Sequence, residues 1–149
     1  MKTVPFNTTF QVSDKDIETF YSSNGIKKLP SDYIAFLKDF NGGYPSVDGN
    51  NICHRFVLHY VTRHGESSNE AIERFYSLYN ETDELSQLDG FKTKYPAFAE
   101  KKLLPIADTI FGSTVCLYYG KKLFGQIFFW PYPEDGLEQY AVKVADSFT

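Results

Sequence analysis

Cysteine is scarce in this sequence, and long apolar runs are missing from it. Only two cysteines occur among 149 residues, Cys53 and Cys116, each inside an apolar, strand-like run. Two isolated cysteines do not make a disulfide framework, so both are predicted to be small buried hydrophobic residues. No apolar run is long enough to span a bilayer, and the N-terminus lacks the apolar segment of a secretory signal. We therefore expect no membrane partner and a cytoplasmic location.

Basic residues are outnumbered by acidic ones, 15 against 19. The formal net charge is −4, and no basic stripe runs along the chain. Proteins that bind nucleic acid neutralise phosphates with clustered lysine and arginine, so this charge balance argues against a nucleic acid as a direct partner.

The motifs of common enzyme and cofactor sites are missing as well. The sequence has no HExxH, no CxxC, no Gly-x-Ser-x-Gly elbow and no glycine-rich phosphate loop. His54 and His59 are five residues apart in one predicted strand, so they should face opposite sides and cannot share a metal ion. His64 lies in a polar turn. We expect no catalytic residue, no metal and no cofactor, and a protein that is not an enzyme.

Aromatic residues, in contrast, are abundant and make up 17% of the chain. Such rings bury a large area with few rotamers, so they predict a rigid core, and surplus tyrosine is typical of a contact surface. The same richness leaves open a small-molecule binder or an enzyme, which would need an aromatic-lined pocket with convergent polar groups.

Two amphipathic helices are predicted near the N-terminus. Ser13 suits an N-cap with Asp16 at the capping-box position, and Asn24-Gly25 ends this first helix. The second helix follows Leu29-Pro30, has apolar residues at i, i+3, i+4 and i+7, and stops at Asn41-Gly42-Gly43.

The rest of the chain alternates between predicted strand and helix. A strand is expected over 52–61, and a third helix from Ser67 or Ser68, with Glu70 completing a capping box. The apolar stripe of that helix would be Ile72, Phe75, Tyr76 and Tyr79. A short helix within 82–99 and strands over 103–108, 114–119, 123–130 and 140–144 follow.

This order of elements predicts an α+β fold. Closely spaced strands favour hairpins, so the twisted sheet should be mostly antiparallel, with helices packed at the N-terminal and middle parts of the chain. No repeat, low-complexity segment or linker interrupts the sequence, which indicates a single domain over 1–149.

Acidic residues concentrate in one stretch, residues 66–89, which contains seven acidic residues and a single basic residue, Arg74. On the predicted third helix, Glu66, Glu70 and Glu73 would share one face and could attract a basic partner, although a solvated helix face would look the same. A loop combining an aromatic ring with acidic residues has the composition of a second contact site. The candidate partner-binding residues are Glu66, Glu70, Glu73, Asp83, Glu84, Tyr132, Glu134 and Asp135.

Three segments, taken in order, resemble the SUKH superfamily, also called the Smi/Knr family. Residues 29–37 (Leu-Pro-Ser-Asp-Tyr-Ile-Ala-Phe-Leu) with Asn41-Gly42-Gly43 resemble its opening helical motif. Residues 104–107 (Leu-Pro-Ile-Ala), Gly112 and 115–117 resemble its central strand pair. Residues 125–130 and 144–148 resemble its closing strands and the start of its last helix. Family members typically continue into a C-terminal helix, which here would be absent, truncated or replaced by a partner chain.

The resemblance implies a protein that works by binding. Family members include bacterial immunity proteins that neutralise polymorphic toxins and fungal regulators of cell-wall synthesis. We expect an immunity protein that occludes a cognate toxin stoichiometrically, a basic nuclease domain being one such toxin. The alternative is a regulatory or scaffold module of the Smi/Knr kind. The resembling residues are themselves scaffold, so the family likeness does not locate a site.

Overall fold

The structure, a computed structural model, describes residues 2–4, 11–46, 57–61, 65–79, 87–131 and 141–148. Within these ranges it confirms the α+β class. The helices are α1 (Asp14–Asn24), α2 (Ser31–Phe40), α3 (Phe91–Lys94) and α4 (Pro96–Glu100). The strands are β1 (Lys2–Val4), β2 (Tyr44–Ser46), β3 (Val57–Val61), β4 (Ser67–Phe75), β5 (Leu103–Thr109), β6 (Thr114–Tyr118), β7 (Ile127–Trp130) and β8 (Val142–Ala145). No helix in the described part of the chain is long and apolar enough to cross a membrane.

The main sheet has six strands in the order β3-β4-β5-β6-β7-β8, and every neighbouring pair is antiparallel. The predicted antiparallel sheet is therefore confirmed. The sheet is curled, because its two outer strands, β3 and β8, contact each other. Across the inside of this curl, the ring of Tyr60 stacks on Phe129 with the centroids 4.3 Å apart. A separate two-stranded sheet joins β1 to β2.

Both faces of the sheet are covered at its central strands, β5 and β6. On one face, α1 and α2 pack through residues such as Phe20, Tyr33 and Leu37 against strand residues such as Val115 and Leu117. On the other face, a smaller cluster contains Phe98, Leu103 and Cys116. Burial on both faces explains why β6 is a continuous apolar run and not an alternating one.

Helix α1 begins at a capping box, as predicted. The Ser13 hydroxyl accepts a hydrogen bond from the Asp16 backbone N–H at 3.2 Å, and the Asp16 carboxylate accepts one from the Ser13 N–H at 2.8 Å. Because the bond from the Ser13 backbone favours the ionised carboxylate, the pKa of Asp16 is lowered. The stabilisation from this bond is therefore present at neutral pH and is lost as the pH falls through that lowered pKa.

Replacing Ser13 with alanine should lower the free energy of unfolding by about 1 kcal/mol, since an N-cap side chain satisfies an otherwise unpaired helix N–H. Urea denaturation at neutral pH measures this loss. Ser22→Ala, at an exposed position of the same helix, is the matched control and should not destabilise the fold. An equal loss in both variants would contradict the capping role of Ser13.

Helix α2 ends at a left-handed residue, which is Asn41 (φ 48°) and not one of the glycines. The Asn41 side-chain oxygen accepts a hydrogen bond from the Leu78 N–H at 2.8 Å. Gly42 serves a different purpose. A Cβ there would lie 2.6 Å from the Tyr76 carbonyl oxygen, and its φ is 80°. Glycine is needed because the chain after α2 passes directly against the backbone at the end of β4.

The third helix predicted from Ser67 is wrong, because this segment forms β4, which pairs with β3 and β5. A β-bulge between Ile72 and Arg74 shifts the alternation of side chains, so Ile72 and Phe75 both enter the main core. Because of the bulge, two buried residues are three positions apart in sequence, which is the spacing expected on one face of a helix.

The segment between β4 and β5 contains two short helices in its described part. Leu88 and Phe91 are fully buried, and α3 starts at Phe91. Pro96 occupies the first turn of α4, where proline favours the start of a helix. The predicted strands over 103–144 are present with shifted ends, and the early part of the strand predicted over 52–61 lies outside the described residues.

Candidate functional site

The turn between β5 and β6, residues 109–113, is tightly held and exposes two large apolar side chains. The Thr109 N–H donates to the Ser113 carbonyl at 2.9 Å, and the Gly112 N–H donates to the Thr109 carbonyl at 3.0 Å. The Ser113 N–H donates to Thr109 Oγ1 at 3.1 Å. At the tip, Ile110 and Phe111 are 44% and 67% exposed. This turn therefore presents an aliphatic and an aromatic side chain on an ordered backbone.

Glu70 fastens this turn to β4. Its Oε1 accepts a hydrogen bond from the Thr109 hydroxyl at 2.7 Å, and its Oε2 accepts one from the Ser113 hydroxyl at 3.1 Å. The Tyr60 hydroxyl donates to the same Oε2 at 3.3 Å. Glu70, Thr109 and Ser113 are all buried. A buried carboxylate is stable only when hydrogen-bonded, and here hydroxyl donors from two hairpins supply the bonds.

The exposed tip continues onto the outer side of the β3–β4 hairpin. The Ile110 N–H donates to the Ala71 carbonyl at 3.1 Å, and Ala71 lies opposite Val57 in the β3–β4 register. Val57 is 41% exposed. We call Val57, Ala71, Ile110 and Phe111 the apolar surface. Exposed large apolar side chains grouped in this way are typical of a protein contact.

The predicted acidic residues do not form a helical face, because their segment is strand. Glu66 is exposed just before β4, Glu70 is buried beneath the turn, and Glu73 is half-buried at the bulge. The prediction that Glu66, Glu70 and Glu73 share one helix face is wrong. Whether Glu66 and Glu73 contact a partner stays a prediction. The other candidates lie outside the described residues: Asp83, Glu84, Tyr132, Glu134 and Asp135.

An ion pair ties β4 to β5 beside the bulge. Arg74 Nε donates to Asp108 Oδ2 at 2.8 Å, and the Tyr76 hydroxyl lies 3.5 Å from the same oxygen. Burial raises the pKa of Asp108, and the hydrogen bond from Arg74 opposes that rise. Asp108 and Arg74 are directly opposite each other in the strand register. Their ion pair therefore stabilises the pairing of β4 with β5 that resumes after the bulge.

The structure describes only one of the three histidines and one of the two cysteines. His59 is exposed on β3, while His54, His64 and Cys53 lie outside the described ranges. Cys116 is a free thiol and fully buried, as predicted, and burial raises its pKa. Among the residues that the structure describes, no three His, Cys, Asp or Glu side chains are grouped so that they could hold a metal ion.

Sequence reasoning missed the apolar surface, although one signal pointed to it. Turns between strands are normally polar, yet Thr-Ile-Phe-Gly-Ser places two large apolar residues at the tip of a hairpin. Those side chains cannot be buried by their own hairpin, so their exposure was foreseeable from the local sequence.

Comparison with known proteins agrees with the resemblance seen in the sequence. The model of the SMI1 / KNR4 family (SUKH-1) matches residues 11–149. A curated relative, the SPbeta prophage-derived uncharacterized protein YokK of Bacillus subtilis (strain 168), is 24% identical over 128 residues. That alignment covers 81% of this chain and 63% of the relative, so the chain spans less than two thirds of the relative's length. No solved structure matches the chain significantly. Because the family model covers nearly the whole sequence, the chain belongs to the SMI1/KNR4 family (SUKH-1).

Proposed function

We propose that this domain is an immunity protein that binds a cognate toxin in the cytoplasm and neutralises it by occluding its active site. The observation that carries the proposal is the apolar surface, in which Phe111 and Ile110 project from a turn that Glu70 holds in place. A rigid, exposed aromatic beside β-branched residues loses little conformational entropy on binding, which is the usual character of a binding hot spot. The domain acts by contact and performs no chemistry of its own.

The charge around the apolar surface supports a partner that is itself basic. Glu66 is exposed just before β4, the strand that contains Ala71, and Glu73 lies at the bulge of that strand. Acidic residues at the rim of an apolar contact accelerate association with a basic protein and contribute less to its final affinity. A basic toxin domain, such as a nuclease, is the partner that fits this arrangement.

Two further facts support the immunity role. The SUKH superfamily that the sequence resembles includes toxin-immunity proteins as well as regulators, and the curated relative is named as prophage-derived. Mobile elements are a setting in which a small dedicated inhibitor is useful, because a single domain that blocks a toxin needs no further machinery.

The experiment is co-expression of the chain with the product of the neighbouring toxin-like gene. We expect growth to be rescued and a one-to-one complex to survive purification by pull-down and gel filtration. The control is the toxin alone, which should arrest growth. Absence of both rescue and complex would refute the immunity role and favour a regulatory or scaffold module, to be followed by a partner search.

A further inference from the structure

Lysines gather at the end of the domain opposite to the apolar surface. They come from three separate segments: the loop after α1, the helices α3 and α4 with the residues that follow them, and the turn between β6 and β7. All seven are exposed. We call this set the lysine end: Lys27, Lys28, Lys92, Lys101, Lys102, Lys121 and Lys122.

Contacts between the three segments bring these lysines together. Lys92 lies over the end of α1, since a Cβ built on Gly25 would meet Lys92 Nζ at 3.1 Å. The Tyr119 N–H donates to the Lys102 carbonyl at 3.0 Å, and its ring packs on Phe91 at 6.0 Å. Gly125, at the end of the β6–β7 turn, is packed against Pro30.

The charges of the lysine end are not neutralised within the described part of the chain, where none of the seven lysines makes an ion pair. The three segments, residues 25–30, 91–102 and 119–126, carry eight lysines (the seven and Lys94) and one acidic residue, Glu100, a net of +7. Because the whole chain carries −4, the remaining residues carry −11. Positive charge is therefore concentrated in these three segments.

Lys102 occupies a strained backbone position within the lysine end. Its φ is 59°, a left-handed conformation that glycine or asparagine adopts with less strain. Strained non-glycine residues that persist in a fold often have a functional reason. Beside the lysines, Phe124 is 40% exposed in the β6–β7 turn and offers an apolar contact within the basic region.

The chemistry of the lysine end favours an acidic protein segment over a nucleic acid. It contains no arginine, whose planar fork gives bidentate phosphate contacts. A long polyanion would also extend past this end and meet the excess of negative charge on the remaining residues. A short acidic peptide or a limited acidic protein surface can pair with the lysines and stay within them.

We propose that the lysine end is a second interaction surface, which binds an acidic protein segment independently of the toxin-binding surface. The proposal does not depend on the immunity role, because the two surfaces lie at opposite ends of the β5–β6 hairpin. A partner held at the lysine end leaves Ile110 and Phe111 accessible.

The test is a titration of the isotope-labelled full chain with a synthetic peptide of alternating Glu and Asp at low ionic strength, followed by NMR. Amide shifts should concentrate at the lysine end and shrink as salt is added, since exposed charges are screened. Lys121→Glu together with Lys122→Glu should weaken binding about tenfold, because two attractive contacts become repulsive.

The matched control is Lys15→Glu, at an exposed position of α1 away from the lysine end, compared with Lys121→Glu alone, which makes the same change in net charge. The control should retain the affinity of the original chain. Equal weakening in these two single variants would overturn the proposal, because only total charge would then matter. So would the absence of binding, or tighter binding of a single-stranded oligothymidylate of equal charge than of the peptide. No toxin is needed, so failure here is distinct from failure of the immunity role.

Discussion

Replacing Glu70 with alanine should lower the free energy of unfolding by about 3 kcal/mol, a large effect for one polar residue. The hydroxyls of Thr109 and Ser113 are buried and would lose their acceptor together, and Tyr60 would lose a partner as well. Each donor left unsatisfied in a low-dielectric interior adds a desolvation penalty, and the missing side chain leaves a cavity. Urea denaturation of the purified variant measures the loss.

Two control variants distinguish the loss of the Glu70 hydrogen bonds from a general effect of removing an acidic residue. Glu70→Gln keeps the shape and one acceptor oxygen, so it should cost about half as much as the alanine variant. Glu18→Ala, on the exposed side of α1, should leave stability unchanged. A change of less than about 0.5 kcal/mol in Glu70→Ala would contradict the role assigned to the network.

The structure gives Glu70 a different role from the one that its sequence context suggests. A glutamate in an acidic stretch is ordinarily a solvated surface charge, and as such it was a candidate partner-binding residue. In the fold it fastens the turn 109–113 and so positions Ile110 and Phe111 without being exposed itself. Its effect on partner binding should therefore be exerted through the turn.

The first two helices were predictable because their signals are local. The capping box at Ser13, the left-handed end at Gly25 and the regular apolar spacing of α2 all lie within the helices they define. Such signals need no information about the rest of the fold, so a single sequence is enough to read them.

Strand β4 was not predictable in this way, because what makes it a strand lies elsewhere in the chain. Ser67 and Glu70 have the residue types and spacing of a capping box. Ile72 and Phe75 are three residues apart in sequence, and both enter the core because of the bulge before Arg74. Only the pairing with β3 on one side and β5 on the other distinguishes this segment from a helix. Tertiary pairing overrides such local patterns.

The two interaction surfaces differ in how far sequence could have found them. The apolar tip at Ile110 and Phe111 sits in one short segment, and its unusual composition was visible. The lysine end is assembled from three segments that are far apart in sequence. Lysines are frequent over residues 92–122, but Lys27 and Lys28 lie far outside that stretch. Tertiary contacts such as the packing of Phe91 on Tyr119 and of Gly125 on Pro30 bring the three segments together.

The separation of the surfaces has a functional consequence. Strand β5 has seven residues between them, a length of about 20 Å at the usual rise of a strand. Two partners of opposite charge could therefore occupy the domain together, one at each end. For an immunity protein, this arrangement would allow a toxin to be held while the domain itself is recruited or retained by an acidic partner.

Replacing Phe111 with alanine should weaken toxin binding about a hundredfold and abolish growth rescue, while the free energy of unfolding stays unchanged. Phe111 is the most exposed large apolar residue in the described part of the chain, so its truncation removes little packing from the fold. In the complex, the same ring would be fully desolvated at the centre of the apolar surface, where aromatic truncation is most damaging. Titration calorimetry with the purified toxin and the rescue assay measure the two effects.

Phe124→Ala is the matched control, because it deletes another exposed phenylalanine at the opposite end of the domain. It should leave toxin affinity and rescue intact. If Phe111→Ala binds toxin as tightly as the original chain, the apolar surface is not the contact site, even if the protein is an immunity protein. If both variants lose binding to the same extent, the toxin does not distinguish the two ends, and the assignment of the apolar surface to the toxin fails.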